Sequence, residues 1–325
     1  MTNALPVLIT GATGGLGRKT VLELAQRGRP LIVGGRRRDA VESLCAQVVQ
    51  RTGTPARPFV ADLADLGSVE AACDRVGNQP LHGIVTNAGL TTMKDLRSVD
   101  GYEMTFAVNV LAHHLLLCRL ADQVASGGRI VVVSSGVHEP SNRLARISGI
   151  PVPRWVGTRA LAQPDEAEPN HRLPRGPVRY STSKLGNVLQ ARGIQARLRA
   201  ADRSVDVFAI DPGLMVDTDL AREIPAALRW VFRLVGRIAT PFVGNMRLST
   251  VSAQHITSLI EDERWRGQGF AYLDGDRKKP PSDDALRDDL VEELFREAMP
   301  LLGLSPTQGS LPATWRQRQA PHPRA

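Results

Sequence analysis

The stretch Leu5-Pro-Val-Leu-Ile-Thr-Gly-Ala-Thr-Gly-Gly-Leu-Gly17 decides how the rest of the chain is read. Val7-Leu8-Ile9 has the length and β-branched content of a buried parallel strand, and it runs into glycines at 11, 14, 15 and 17. From Leu16 the apolar residues fall at helical spacing, with Leu16, Val21, Leu24 and Ala25 on one face, until Gly28 ends the pattern. Strand, glycine turn and helix follow in order. Glycines at such a junction let the backbone approach a pyrophosphate, and free amides at the positive end of the helix dipole favour its charge. The spacing Thr10-Gly11-x-x-x-Gly15-x-Gly17 is one residue longer than the GxGxxG form, and it predicts a dinucleotide site.

Working outward, 325 residues with 42% hydrophobic content make one large α/β domain when βα units recur, as they do here. No window of 18 uncharged apolar residues exists, and no basic segment precedes an apolar core, so a cytoplasmic protein is expected. Cys45, Cys73 and Cys118 are far apart in helix-like stretches, which suits reduced core residues better than metal ligands or disulfides. A net charge of +8 and a pI near 10 raise the question of nucleic acid or an anionic membrane surface. The excess arginines are scattered without interleaved aromatics, which reads as solvated surface and gives no nucleic-acid partner.

Leu31-Ile32-Val33 is the second strand, and Gly34-Gly35-Arg36-Arg37-Arg38 follows it. In dinucleotide folds a carboxylate at that place binds the ribose 2′-OH, whereas an arginine accommodates a 2′-phosphate. No acid stands there and Arg36 does, which predicts NADP(H) over NAD(H). A helix over 38–51, a strand at 57–61 with Asp62-Leu63 after it, and a helix over 66–77 continue the rhythm. The strand 83–86 ends in Asn87-Ala88-Gly89, at the edge where open α/β sheets bind ligands.

Residues 103–125 read as one long helix carrying Asn109 among apolar neighbours. The strand 129–133 runs into Ser134-Ser135-Gly136. Residues 137–177 carry seven prolines and break the rhythm, as an inserted surface segment with short helical pieces near Leu144 and Leu161. The helix 178–200 opens with Tyr180-Ser-Thr-Ser-Lys184, which puts the phenol and the ammonium on one face. A strand at 205–210 leads to Asp211-Pro212-Gly213. An amphipathic helix over 220–239 carries a stripe of Arg229, Arg233 and Arg237. A helix over 244–262, a strand at 270–273 and a helix over 283–299 complete the domain, and the tail 305–325 reads as disordered.

Taken in order, Thr10-Gly-x-x-x-Gly-x-Gly17, Asp62-Leu63, Asn87-Ala-Gly89, Asn109, Ser135, Tyr180-x-x-x-Lys184 and Pro212-Gly213 resemble the short-chain dehydrogenase/reductase family over residues 5–275. The Arg36 position, the stretched Ser135 to Tyr180 interval and the run Tyr-Ser-Thr-Ser-Lys-Leu-Gly-Asn resemble its retinol dehydrogenase-like branch, with WW-domain and protochlorophyllide oxidoreductases. The resemblance implies one Rossmann-type, doubly wound α/β domain over 1–304 with a mostly parallel seven-stranded sheet, an insertion at 137–177 and a substrate lid at 214–245. It implies that Gly11, Thr13, Gly15, Leu16, Gly17, Arg36, Asp62, Leu63, Asn87, Ala88, Gly89, Tyr180, Lys184, Pro212 and Gly213 hold the cofactor, with no metal.

The same resemblance implies catalysis by Asn109, Ser135, Tyr180 and Lys184 on a carbonyl or alcohol. Tyr180 is the acid/base, with its phenol brought from about 10 to near 7, worth roughly 4 kcal/mol, by Lys184 and hydrogen bonds. Ser135 holds the substrate oxygen, Lys184 also holds the ribose, and Asn109 holds a water that relays protons to Lys184. The chain departs from the family at Thr86, where asparagine is commoner, and at Thr218, one residue later than the PGxxxT pattern. Two readings from other classes stand beside the enzyme: a catalytically silent NADP(H)-binding regulator, and a basic membrane or nucleic-acid surface binder. Oligomeric state is left open.

Overall fold

The computed structural model describes residues 4–142, 150–166, 175–215 and 246–304. Strands and helices alternate as β1 (Val7–Ile9), α1 (Gly15–Gln26), β2 (Leu31–Gly35), α2 (Arg38–Thr52), β3 (Ala56–Val60), α3 (Leu66–Val76) and β4 (Leu81–Thr86). The chain then runs through α4 (Met104–Phe106), α5 (Ala112–Leu120), β5 (Val124–Val133), α6 (Thr158–Ala162), α7 (Pro177–Ala200) and β6 (Asp206–Asp211). It closes with β7 (Leu214–Met215), β8 (Met246–Arg247), α8 (Ser249–Glu261), β9 (Phe270–Asp274), β10 (Arg277–Lys278), α9 (Asp283–Leu286) and α10 (Asp288–Leu301).

The main sheet has the order β10-β9-β6-β5-β4-β1-β2-β3. Seven of its strands are parallel, as the sequence leads one to expect, and the two-residue β10 adds an eighth, antiparallel to β9. Two residues are too short for an alternation to register in the sequence. The order reverses between β1 and β4, which creates the crevice where ligands of doubly wound sheets lie.

The strands read as unbroken apolar runs because both faces are covered. Leu8, Ile32, Ile84, Ile130, Val132, Val207 and Ala209 pack with α3, α5, α7 and α10 on one face. Val7, Ile9, Val33, Val85, Val131, Phe208 and Ile210 pack with α1, α2 and α8 on the other. Adjacent residues of a strand point to opposite faces, so each strand contributes to both cores.

Three expectations change. The single helix over 103–125 is α4, a π turn at Ala107–Leu111, α5 and a 3-10 turn at Ala121–Gln123. The helix over 283–299 is broken between α9 and α10 at Arg287, whose extended backbone (φ −72°, ψ 116°) ends the first and begins the second. The insertion is more than a surface segment: Thr158, Leu161 and Ala162 are buried. Glu293 Oε1 of α10 accepts from Trp155 Nε1, Thr158 N and Thr158 Oγ1 at 3.1, 2.7 and 3.1 Å, which pins it down. The helical piece near Leu144, the 220–239 helix, Thr218, most of the lid region and the tail lie outside the described residues.

The helical run Met104–Gln123 is long and apolar enough to cross a membrane by length and composition, with hydropathy 1.4, and 89% of that window is buried. It is a core element of this sheet domain, and it carries Asn109.

Candidate active site

Everything that the sequence singles out at strand ends meets at the C-terminal edge of the sheet. After β1, Gly11 (φ +64°) and Gly15 (φ +51°) take left-handed conformations that glycine adopts without strain. Gly17 is needed for closeness: a Cβ there would lie 2.3 Å from Gly11 O and 2.5 Å from Asn87 Nδ2. Gly14 caps α1 with no side chain on the helix amides and with open space beside it. A narrow backbone cradle at an uncapped helix start fits a pyrophosphate. Leu16 is buried beneath it.

At the end of β2, a Cβ on Gly35 would meet Val41 Cγ2 at 2.8 Å and Thr13 Cγ2 at 3.0 Å. The glycine turn and the β2 end are therefore neighbours, and Arg36 stands exposed beside them. Arg38 is engaged by Glu42 at 3.2 Å, whereas Arg36 forms no ion pair among the described residues. Asp62 Oδ1 accepts from Ala64 N at 3.0 Å, and Leu63 packs against the core.

Asn87 is hydrogen-bonded to the glycine turn. Its Nδ2 donates to Thr10 O and Gly11 O at 2.9 and 3.2 Å, and its main-chain N, like that of Ala88, donates to Thr10 Oγ1 at 3.0 Å. Asn87 and Ala88 thus lock the glycine turn to the β4 end. With both acceptor positions in use, the Thr10 hydroxyl donates to His113 Nε2, 3.0 Å away. That leaves the proton on His113 Nδ1, which faces Asn109 O at 3.3 Å. Burial pulls the His113 pKa down to about 4, so the ring is neutral.

Asn109 sits in the π turn, fully buried, a kind of helix irregularity that often marks functional positions. Its Oδ1 accepts from Leu90 N at 2.8 Å, and its Nδ2 donates to Leu90 O and Ser183 Oγ at 2.9 Å. These bonds tie the segment after Gly89 to α7, the helix that carries Tyr180 and Lys184. Glu103, buried at the start of α4, accepts from Thr105 N and Phe106 N at 3.0 and 2.7 Å and so fixes where that helix begins.

Ser135 Oγ accepts from Val137 N at 3.5 Å, and its hydroxyl stands close enough to the Tyr180 phenol to favour the charged form of the phenol. Its carbonyl accepts from His138 Nδ1 at 2.7 Å, and Ser282 N reaches the opposite ring nitrogen at 3.4 Å. Lys184, 4% exposed, donates to Val133 O at 3.1 Å and to Asn187 Oδ1 at 3.2 Å, with its Nζ 5.7 Å from the centre of the Tyr180 ring. Burial lowers its pKa to about 8, against a smaller upward pull from Asp211.

The Tyr180 phenol is held well above its ordinary range by burial first and Asp211 second, with the nearby Ser135 hydroxyl acting against them. The sequence led us to expect a lowered phenol. Two bonds of the ammonium are spent on Val133 and Asn187, and an acid stands nearby, so in this arrangement the phenol keeps its proton. Asp211 is 2% exposed, its Oδ1 accepts from Gly213 N at 2.9 Å, and its Oδ2 has no partner among the described residues. Pro212 O accepts from Ser252 Oγ at 2.7 Å, which anchors the Pro212-Gly213 turn to α8.

Sequence reasoning passed over Thr10, Glu103, His113, Asn187 and Asp211 as working parts. Two had a signal: His113 lies one helical turn after Asn109, and Asn187 one turn after Lys184. The three cysteines are buried and free, with thiol pKa values raised by burial to about 11 for Cys45 and about 12 for Cys73 and Cys118, and no cluster of metal-binding side chains occurs among the described residues.

A family model described as short chain dehydrogenase matches residues 6–144. Over 246 residues the chain is 33% identical to retinol dehydrogenase 14 of Mus musculus, a match covering 70% of this chain and 67% of that protein. It is 30% identical over 259 residues to the WW domain-containing oxidoreductase of Drosophila melanogaster, covering 78% of this chain and 58% of that longer relative. The solved structure of the angucycline C-6 ketoreductase LanV with bound NADP aligns with a TM-score of 0.60 at 21% identity, over 83% of this chain and 93% of that one, a likeness of fold.

Proposed function

The chain belongs to the short-chain dehydrogenase/reductase family, in its retinol dehydrogenase-like branch, and from that premise we propose that it is an NADP(H)-dependent oxidoreductase interconverting a carbonyl and an alcohol on a lipophilic small molecule. The observation that carries this reading is the meeting of Ser135, Tyr180, Lys184 and Asn109 beside the glycine cradle, linked through Ser183, Asn187 and Leu90.

A nicotinamide cofactor whose pyrophosphate lies in the glycine cradle would supply or accept the hydride. The protein positions a carbonyl and handles one proton. The Ser135 and Tyr180 hydroxyls stand near each other, so a substrate oxygen placed between them would accept from both, with Tyr180 giving its proton to that oxygen as the alcohol forms. A phenol that keeps its proton suits the reductive direction. Lys184, held by Val133 and Asn187, places a positive charge under the ring that becomes phenolate.

NADP(H) is favoured because a side chain at Gly35, such as the carboxylate that would bind a 2′-OH, would meet Val41 and Thr13, and because the next residue, Arg36, is exposed. A lipophilic substrate is supported by exposed apolar side chains at the mouth: Met93, 63% exposed and near Gly176 just before α7, and Leu214, 46% exposed after the Pro212-Gly213 turn. The test is NADPH consumption over a panel of aliphatic and aromatic ketones and aldehydes. Turnover with at least one lipophilic carbonyl is expected. NADPH binding without turnover of any of them would favour the silent regulator instead.

A further inference from the structure

The geometry points to Asn187 as a positioning residue of the reaction, its side-chain amide forming a direct bridge from the Lys184 ammonium to the Asn109 carbonyl, where the family resemblance implies a water. The inference rests on the reading of Tyr180 and Lys184 given above.

Asn187 lies one helical turn after Lys184 on α7 and is 2% exposed. Its Oδ1 accepts from Lys184 Nζ at 3.2 Å, and its Nδ2 donates to Asn109 O at 2.7 Å. The amide orientation is forced by its partners: turned over, it would set NH2 against an ammonium and oxygen against a carbonyl. Asn109 O also faces the Nδ1–H of His113 at 3.3 Å, so two side chains already donate to a carbonyl with two lone pairs. These two side chains thus occupy the carbonyl to which the resemblance assigns a water.

The ammonium is thereby held by Val133 O and Asn187 Oδ1, which leaves one of its three N–H groups for another partner.

The charged and titratable groups facing Lys184 are Tyr180 on its own helix, Asp211 from β6 and His113 from α5. Of these only Asp211 is a carboxylate, and it is common to every variant below. The chain has five lysines, so protein labelled with 13C at the lysine Cε gives few signals, and Lys184→Arg identifies the one of interest. In the wild type Lys184 should titrate below the usual lysine range, near pH 8, because it is buried. Asn187→Leu removes an acceptor of the charged form and lowers that value by about one unit or more. Asn187→Asp replaces the acceptor with a carboxylate and raises it. The other lysines stay put, which separates the bridge from a general loss of structure. Where the leucine variant does not fold, Asn187→Ala is used in its place with the same direction expected.

A folded leucine or alanine variant whose Lys184 titrates with the wild type, or an aspartate variant in which it moves down, overturns the bridge. These readouts need no substrate, so a failure to find any carbonyl turned over with NADPH would count against the function and leave the Asn187 result standing.

Discussion

Gly35 and Arg36 show how far one or two residues decide a cofactor. A side chain at 35 collides with Val41 and Thr13, so no carboxylate stands at the β2 end, and the next side chain is an exposed guanidinium with no ion pair among the described residues. A planar guanidinium suits a phosphate, and charge-assisted hydrogen bonds at a partly exposed site contribute about 1.5 to 3 kcal/mol. NADPH should therefore be preferred over NADH by roughly ten- to a hundredfold in kcat/KM, and Arg36→Ala should remove most of that preference. The comparison is made at fixed moderate salt, because the contact is ionic. Equal use of both cofactors by the wild type would remove the assignment, and an unchanged ratio in the variant would move it to Arg37 or Arg38.

At the scale of elements, the site depends on how α7 lies against its neighbours. Gly193 of α7 faces the Phe295 ring of α10, and a Cβ there would lie 2.0 Å from Phe295 Cε2. That ring cannot retreat freely, since it is 1% exposed, stacks under Arg197 at 3.5 Å and meets His114 edge-on at 4.4 Å. Gly193→Val forces α7 and α10 apart and should lower stability by about 1 to 3 kcal/mol in chemical denaturation. A variant as stable as the wild type would mean that the two helices are not locked together at this point.

The same elements show what a sequence can tell. The buried strands, α1 and α2 were legible because burial on two faces or on one stripe leaves a period in the apolar residues. The π turn under Asn109 was not, because one extra residue in a helical turn leaves that period almost unchanged. The candidate site residues could be picked out by type and spacing, yet their wiring through Thr10, His113 and Asn187 could not, since it depends on which helix faces which strand end. Part of the insertion was misjudged as surface because its anchor, Glu293, lies more than a hundred residues further on.

For the whole molecule, the buried histidines of the central helix make stability depend on pH. His114 is fully buried with neither ring nitrogen partnered among the described residues, and burial first, then Arg197, lowers its pKa to about 3. Above about pH 6.5 the ring is neutral both folded and unfolded, and it has no effect on the balance. Below that the unfolded chain takes up a proton that the folded one refuses. Stability is therefore lost as pH falls from about 6.5 toward 3, by about 2 kcal/mol at pH 5 for this residue alone. Thermal melts at pH 7 and pH 5 should show a fall in Tm for the wild type and a smaller fall for His114→Leu. Equal falls would mean that the ring reaches water in the folded protein.

Whether the whole assembly of cradle, helix and carboxyl-edge loops performs carbonyl reduction is tested most directly by Tyr180→Phe, which removes one oxygen and leaves the cradle untouched. NADPH affinity is measured by fluorescence and turnover by NADPH consumption, on the best carbonyl substrate of the wild type. Affinity within about twofold of the wild type is expected, with kcat reduced by at least about a hundredfold, the scale of a positioned acid/base. A variant that binds NADPH normally and reduces the carbonyl at near wild-type rate would contradict the role of Tyr180, and with it the mechanism built on Ser135, Lys184 and Asn109.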